Sequence, residues 1–476
     1  MNRFPASIPR DARYTVHTMK RTATDNRVEQ AFEEPARALE EGIELATRGE
    51  RTLVSKKPFR LAEEYWTTLG PGLTTGAADD DPSGIAAYSQ AGAQFGLGLI
   101  WTSLFTFPFM AVVQEMCARI GVVTGQGLAA NIRKHYPRYA LYSATALLFF
   151  ANTLNIAADL GAMAAATRLL TPTASFGLLV VLFAAISLGL QIFTTYARYA
   201  KYLKYLTFAL LSYVVVAFVV HLDWADVLHH TLVPSFTFSK DQIFLLAAVL
   251  GTTISPYLFF WQTSQEVEEN ILHGERTIAE RKANSNRRSI RQMRIDVWSG
   301  MFFSNLISFF IFAACAGTLY IHGITDIATA DQAALALRPF GEAAYLLFAL
   351  GIVGTGFLSV PVLAGSTAYA LAESFGWRYG LYRKLKEAYA FYGVIIISMV
   401  AGIIANFMHL DPIKGLIYAA VANGVIAPFI LYFVVRISND RQVMGTYANG
   451  RLAASMGWIT IVFMALSGAA AILTLW

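Results

Sequence analysis

The chain alternates long apolar stretches with short polar ones. A membrane-spanning helix needs about 20 mostly apolar residues. From Trp66 onward about eleven stretches meet that length: 66–95, 97–122, 139–166, 174–196, 203–221, 242–269, 297–321, 342–372, 388–408, 414–435 and 452–475. Two of them are interrupted, the first at Asp81-Pro82-Ser83-Gly84 and the sixth at Ser255-Pro256. Proline lacks an N–H and crowds the preceding turn, so Pro82 and Pro256 mark helix breaks. Breaks in the first and sixth helices define a unit of five. Five is odd, so a second unit enters the membrane inverted, and the substrate of such a fold lies at the midplane between the broken helices. The prediction is an all-α integral membrane protein with a 5+5 inverted repeat. A tail spans 1–60, the repeats 61–221 (helices 1–5) and 242–436 (helices 6–10), and a peripheral eleventh helix 452–476. Identity between the halves is not visible, so the repeat rests on the positions of the breaks.

Charge then orients the helices. Loops after the even-numbered helices carry Arg133, Lys134 and Arg138; Arg198, Lys201 and Lys204; seven basic residues from Arg276 to Arg294; Arg378, Arg383, Lys384 and Lys386; and Arg436, Arg441 and Arg451. The opposite loops hold about one basic residue each: Arg168, Lys240, Arg338 and Lys414. Positive loops stay cytoplasmic, which predicts the N-terminus inside and the C-terminus outside. The first sixty residues lack the apolar core of a signal peptide. Within them 36–48 reads equally as a surface amphipathic helix or as disordered tail. A bacterial inner membrane is the expected location.

Composition agrees. Charged residues are 14% of the chain, against about 25% in a typical soluble protein. The 33 Phe, 22 Tyr and 8 Trp suit helices that touch lipid and anchor at its surfaces. The net charge of +5 resides in the short loops, so it reports topology and not nucleic-acid binding. Cys117 and Cys315 lie in apolar stretches and read as small core residues.

Chemistry concentrates at the breaks. Asp79, Asp80 and Asp81 are consecutive carboxylates at mid-membrane depth, each costing about 2.5–3.5 kcal/mol on insertion scales. Irregular backbone survives at this depth only where it lines a cavity or is buried in protein. Carboxylates with unwound carbonyls are what a hard cation needs. The competing reading is an exposed loop between two short helices. In the sixth stretch Thr252 and Ser255, three apart, share a face beside Pro256. Each offers a hydroxyl and, beside the break, a free carbonyl.

These residues resemble the NRAMP family of divalent metal transporters. The resemblance rests on Gly70-Pro71, Asp81-Pro82, Gln90-Ala91-Gly92-Ala93-Gln94-Phe95-Gly96, Thr124-Gly125, Leu128, Ile132-Arg133 and His135-Tyr136-Pro137, and more thinly on Thr253, Pro256 and Ala364-Gly365. It implies a LeuT-type fold with metal ligands at both breaks. Asp81 matches the Asp of the family's Asp-Pro-Gly-Asn, and Gly84 stands in place of the Asn. Ser255 and Tyr257 replace the Met and His of Met-Pro-His, Gln262 replaces a second His, and Thr252 matches an alanine whose carbonyl binds metal. The resemblance thus places Asp81, Thr252 and Ser255 at the metal, with Asp80, Gly84, Tyr257 and Gln262 lining the site.

A thioether favours transition metals, so its exchange for a hydroxyl, with loss of the Asn, leaves a harder and roomier site. Mg²⁺ dehydrates reluctantly and suits such a site. The pattern resembles the divergent NRAMP-related magnesium transporters. The expected cargo is partly hydrated Mg²⁺, with Mn²⁺ as a second ion. Tyr257 and Gln262 cannot relay protons as histidines do, so uncoupled transport is expected. Asp159 argues back, because the family carries acidic residues along its proton path in that helix. The preferred reading of Asp159 is a carboxylate bonded to Asn155 or a neighbouring helix.

Four other features receive plain readings. Glu266, Glu268 and Glu269 read as a solvated helix end, with an acidic inner vestibule as alternative. His229 and His230 read as a chance pair in an outer loop. Asn423 is expected to face the interior and bond between helices. No nucleotide-binding loop or catalytic constellation stands out, so neither an enzyme nor a resident cofactor is expected; the partners are the ion and the bilayer, with the oligomeric state left open between monomer and assembly. Three alternatives stay open: a proton-coupled Mn²⁺ or Fe²⁺ importer, an organic-solute symporter of the same architecture, which the Asp triplet disfavours, and a metal-sensing receptor.

Overall fold

The computed structural model describes residues 70–194, 210–327, 329–341, 343–408 and 411–474, and the regular structure among them is entirely helical. The tail 1–60 with its 36–48 stretch, and Arg198, Lys201 and Lys204, lie outside the described residues. In chain order the first half holds α1 (Pro71–Asp79), α2 (Pro82–Phe95), α3 (Trp101–Thr124), α4 (Leu128–His135), α5 (Arg138–Leu170), α6 (Phe176–Phe193) and α7 (Leu211–Val219). A short loop helix, α8 (Trp224–Leu232), leads to α9 (Lys240–Thr253) and α10 (Pro256–Leu272). Then follow α11 (Ile278–Asn284), α12 (Arg287–Thr318), α13 (Ala330–Ala334), α14 (Ala343–Phe375), α15 (Tyr389–Asn406), α16 (Pro412–Asn439), α17 (Arg441–Met444) and α18 (Arg451–Thr474).

Both breaks fall where the prolines put them. Pro82 and Pro256 open α2 and α10 at a position where a missing N–H costs nothing. Nine spans among the described residues are long and apolar enough to cross a membrane, with α9 and α10 joined as one of them. The two further spans expected from the sequence are the one broken into α1 and α2, and 203–221, described only from Leu210. The arrangement is the expected one, all-α with its first and sixth membrane helices broken.

The broken helices occupy the centre. The α9–α10 span is 89% buried along its apolar window, against 28% for α6 and α18, which face outward. Around the breaks stand α3, α5, α12, α14 and α16: α12 packs on α1, α2 and α3, α9 on α16, and α14 and α16 on α5. Lipid tails are as apolar as leucine, so membrane helices associate through close backbone approach at small residues. Gly72, Gly76 and Gly300 provide it here. A Cβ on Gly76 would run into the Gly300 carbonyl, and one on Gly300 into that of Gly72. Cys117 and Cys315 are free and buried, as core residues.

The contact between α1 and α12 leaves no room for a side chain. Gly76→Val is expected to destabilise the protein by about 1–3 kcal/mol through overpacking. A lowered unfolding temperature of the purified protein in detergent is the readout, with Gly393→Val, which meets nothing within 4 Å, as the neutral control.

Candidate metal site

Asp79, Asp80 and Asp81 fill the gap between α1 and α2, at 0, 3 and 1% exposure, so the exposed-loop reading fails. Asp81 caps α2: its Oδ1 accepts from the Gly84 N–H (2.7 Å) and the Ser83 hydroxyl (2.6 Å). Such a cap satisfies orphan donors of a helix start. Its Oδ2 has one partner, the Tyr257 hydroxyl at 3.4 Å, which also donates to the Ala78 carbonyl at 3.0 Å. Asp81 Oδ2 is therefore the carboxylate oxygen left facing the break. Asp79 and Asp80 share one donor, the Ser304 hydroxyl of α12, at 2.9 and 3.2 Å. Asp79 Oδ1 has no hydrogen-bond partner. None of the three is ion-paired with a basic side chain among the described residues.

The second break meets the first directly. The Thr252 hydroxyl lies 3.5 Å from Asp81 Oδ1. The Ser255 hydroxyl turns back on its own helix and donates to the carbonyls of Thr252 (2.6 Å) and Gly251 (3.0 Å). The Thr252 carbonyl expected to be free thus carries one hydrogen bond, and has a second lone pair to offer. Tyr88 and Thr253 join the two broken helices through their hydroxyls at 3.0 Å. The structure brings Asp81, Gly84, Thr252 and Tyr257 into contact where the breaks meet, while the Ser255 hydroxyl is turned onto the Thr252 and Gly251 carbonyls and Asp80 is held by Ser304 of α12. Gln262 is not part of that group: its amide donates to Glu266 at 2.8 Å, and its Oε1 is unpartnered.

Several expectations need correction. The position left by the family's Asn is not spacious, because a Cβ on Gly84 would meet Thr252 Oγ1 at 3.0 Å and the Tyr88 ring at 3.3 Å. The Thr252 hydroxyl occupies that space. Glu266 and Glu268 are not a solvated helix end; they are 6 and 5% exposed. Glu268 accepts from the Tyr369 hydroxyl and from the Leu381 N–H. Asp159 needs no correction: it is fully buried and, as the preferred reading allowed, accepts from a neighbouring helix, the Ser359 hydroxyl of α14 at 2.7 Å, while its Oδ1 has no partner among the described residues. Asn423 faces the interior as expected, but neither end of its amide finds a partner among the described residues.

Two supports stand outside the sequence expectations, and both lie on α12. Asp296 accepts from the N–H groups of Gly70 (2.8 Å), Gly72 (2.6 Å) and Leu73 (3.0 Å), holding the start of α1. Ser304 holds Asp79 and Asp80 at the other end of α1. A signal for them exists: Asp296, Gly300, Ser304 and Ser308 recur every four residues, a buried polar stripe in an apolar helix.

Gly84 and Thr252 behave as a matched pair. Gly84→Asn alone is expected to impair transport by crowding Thr252, and Gly84→Asn with Thr252→Ala to recover much of the loss. The interaction term in a double-mutant cycle is expected at about 0.5–3 kcal/mol, read from metal affinity.

Comparisons with known proteins agree with this geometry. Residues 72–474 match the family described as natural resistance-associated macrophage protein-like. A divalent metal cation transporter, MntH, from Pectobacterium carotovorum subsp. carotovorum is 25% identical over 403 residues, 83% of this chain and 91% of that protein. A manganese transporter of Eremococcus coleocola, in complex with an aromatic bis-isothiourea substituted compound, superposes with a TM-score of 0.68 at 18% identity, covering 86% of each chain. A histidine-to-alanine mutant of the same transporter gives a TM-score of 0.65 at 18% identity, covering 84% of each chain. With the two broken helices meeting at Asp81 and the match spanning nearly all of the membrane region, the chain belongs to the Nramp family and is a divalent metal cation transporter of that type.

Proposed function

We propose that the cargo is partly hydrated Mg²⁺, with Mn²⁺ as a second ion, moved by alternating access and without coupled protons. The observation that carries this reading is the donor set around Asp81. Oxygen alone faces the break: the Asp81 carboxylate, the Thr252 hydroxyl, the Tyr257 phenol and the Thr252 carbonyl, with the Ser255 hydroxyl turned back onto that carbonyl. No thioether or imidazole contributes among them, which favours hard over transition-metal ions. Asp81 serves as the one direct side-chain ligand, through Oδ2.

The unpartnered oxygens support retained water. Asp79 Oδ1 and Asp159 Oδ1 are buried acceptors without donors. A hydrated cation presents O–H groups outward on every side, and Mg²⁺ keeps several of its waters. Tyr257 and Gln262 stand where the family has histidines, and neither side chain exchanges protons near neutral pH as an imidazole does. The membrane potential then drives entry. The basic loops support an N-terminus inside and a C-terminus outside, in a bacterial inner membrane.

A second reading, a proton-coupled Mn²⁺ or Fe²⁺ importer, draws on Asp159. That carboxylate is buried, has one free oxygen, and sits on α5 facing α14. Proteoliposomes containing a pH-sensitive dye separate the two. Mg²⁺ entry without acidification, abolished by Asp81→Ala, is the expected result. Mn²⁺ entry that acidifies the lumen, with no Mg²⁺ entry, overturns the proposal. Restoring the thioether with Ser255→Met is expected to shift preference toward Mn²⁺ by about 10-fold, equivalent to ~1.4 kcal/mol, measured as the ratio of the two ions' affinities.

A further inference from the structure

Among the described residues outside the transport site, one cluster of side chains has the spacing of a metal site. Asp226, His229 and His230 lie on α8, the short helix between α7 and α9, and their candidate ligand atoms are all within 4.8 Å of one another. In the sequence the two histidines read as a chance pair; the fold adds Asp226 to them. The helix explains the convergence. Val227 and Thr231 are buried on one side of α8, and residues at i, i+3 and i+4 share a face, so Asp226, His229 and His230 gather on the other. His230 Nδ1 already stands 3.1 Å from Asp226 Oδ1. The two imidazoles are neighbours, with ring centroids 5.4 Å apart.

We propose that Asp226, His229 and His230 form a surface site for a borderline transition-metal dication of the Zn²⁺, Co²⁺ or Ni²⁺ class. Two imidazoles and a carboxylate are a common donor set for these ions, with a fourth position open to water. Bonds of about 2.1 Å to a tetrahedral ion put its donor atoms about 3.4 Å apart. The exposed side chains of Asp226 and His229 reach that spacing by rotation, without moving the helix. Mg²⁺ prefers oxygen and water in octahedral geometry, so this site rejects the ion proposed as cargo. The inference is independent of that proposal, since α8 contributes no residue near Asp81.

The helix is tied to both broken spans. Its packing partners are α3 and the turn at Gly96–Leu99 that follows α2. In the segment leading on to α9, Ser235 donates to the Gly98 carbonyl (3.1 Å), and the Thr237 N–H donates to Gln242 of α9 (2.6 Å). A metal held here would sit on the connection between the outer halves of the broken helices.

Equilibrium dialysis with Zn²⁺, paired with Co²⁺ visible spectra, tests the site in full-length protein carrying Asp81→Ala, so that the transport site does not compete. One ion per chain, with the intense d–d bands of tetrahedral Co²⁺, is expected. Adding His229→Ala and His230→Ala is expected to weaken it more than about 100-fold, beyond what loss of an outer-shell contact alone causes. The conservative Asp226→Asn alone is expected to weaken it by less, and guards against misfolding of the double variant. Equal Zn²⁺ binding in all of these proteins, or octahedral Co²⁺ spectra unchanged by the substitutions, overturns the proposal.

Discussion

A carboxylate inside a packed membrane bundle gives up most of its hydration, so it must be matched by donors, by a cation or by a proton. Asp79, Asp80 and Asp81 impose that condition three times in succession. Ser83, Ser304, Tyr257 and the Gly84 N–H are the donors the protein supplies. They do not satisfy every oxygen, and no basic side chain among the described residues stands in. A site with surplus acceptors in a low-dielectric setting attracts dications strongly, and the break in the helix is what allows such residues to exist there. The close packing of α12 follows from the same need, since Ser304 reaches the triplet only because Gly72, Gly76 and Gly300 let the helices touch.

The differences from the family motif make sense as a set of linked changes. Losing the Asn at Gly84 would leave a gap at the base of α2, and Thr252 fills it. Losing the Met at Ser255 would leave a void with a soft donor gone. The short serine hydroxyl folds back onto the Thr252 and Gly251 carbonyls, capping the backbone exposed by Pro256. Tyr257 replaces an imidazole with a phenol that bridges Ala78 and Asp81, so it braces α1 against α10 across the break. The region thereby exchanges groups that suit softer metals for oxygen donors that suit harder ones.

The breaks were legible because proline is a local cause: Pro82 and Pro256 disrupt a helix whatever surrounds them. Most of the long apolar helices were legible because apolar length is additive along the chain. The rest depends on tertiary contact. The direction of the Ser255 hydroxyl, the occupancy of the space at Gly84 and the burial of Glu266 and Glu268 depend on how the helices pack. Asp159 was expected to bond to Asn155 or to a neighbouring helix, and it is packing that selects the second, through Ser359, 200 positions on. Asp296 and Ser304 were visible as a stripe, yet the stripe does not say which helix it faces.

Asp296 gives α1, the half of the first broken helix that precedes the break, an anchor of unusual kind. One carboxylate grips the backbone amides of Gly70, Gly72 and Leu73, so these bonds make or break together. Three such bonds to a charged acceptor resist a gradual peel, because loosening one leaves the others strained. The start of α1 is therefore fastened to α12 at three points, and a displacement of either one carries the other with it or gives up all three bonds.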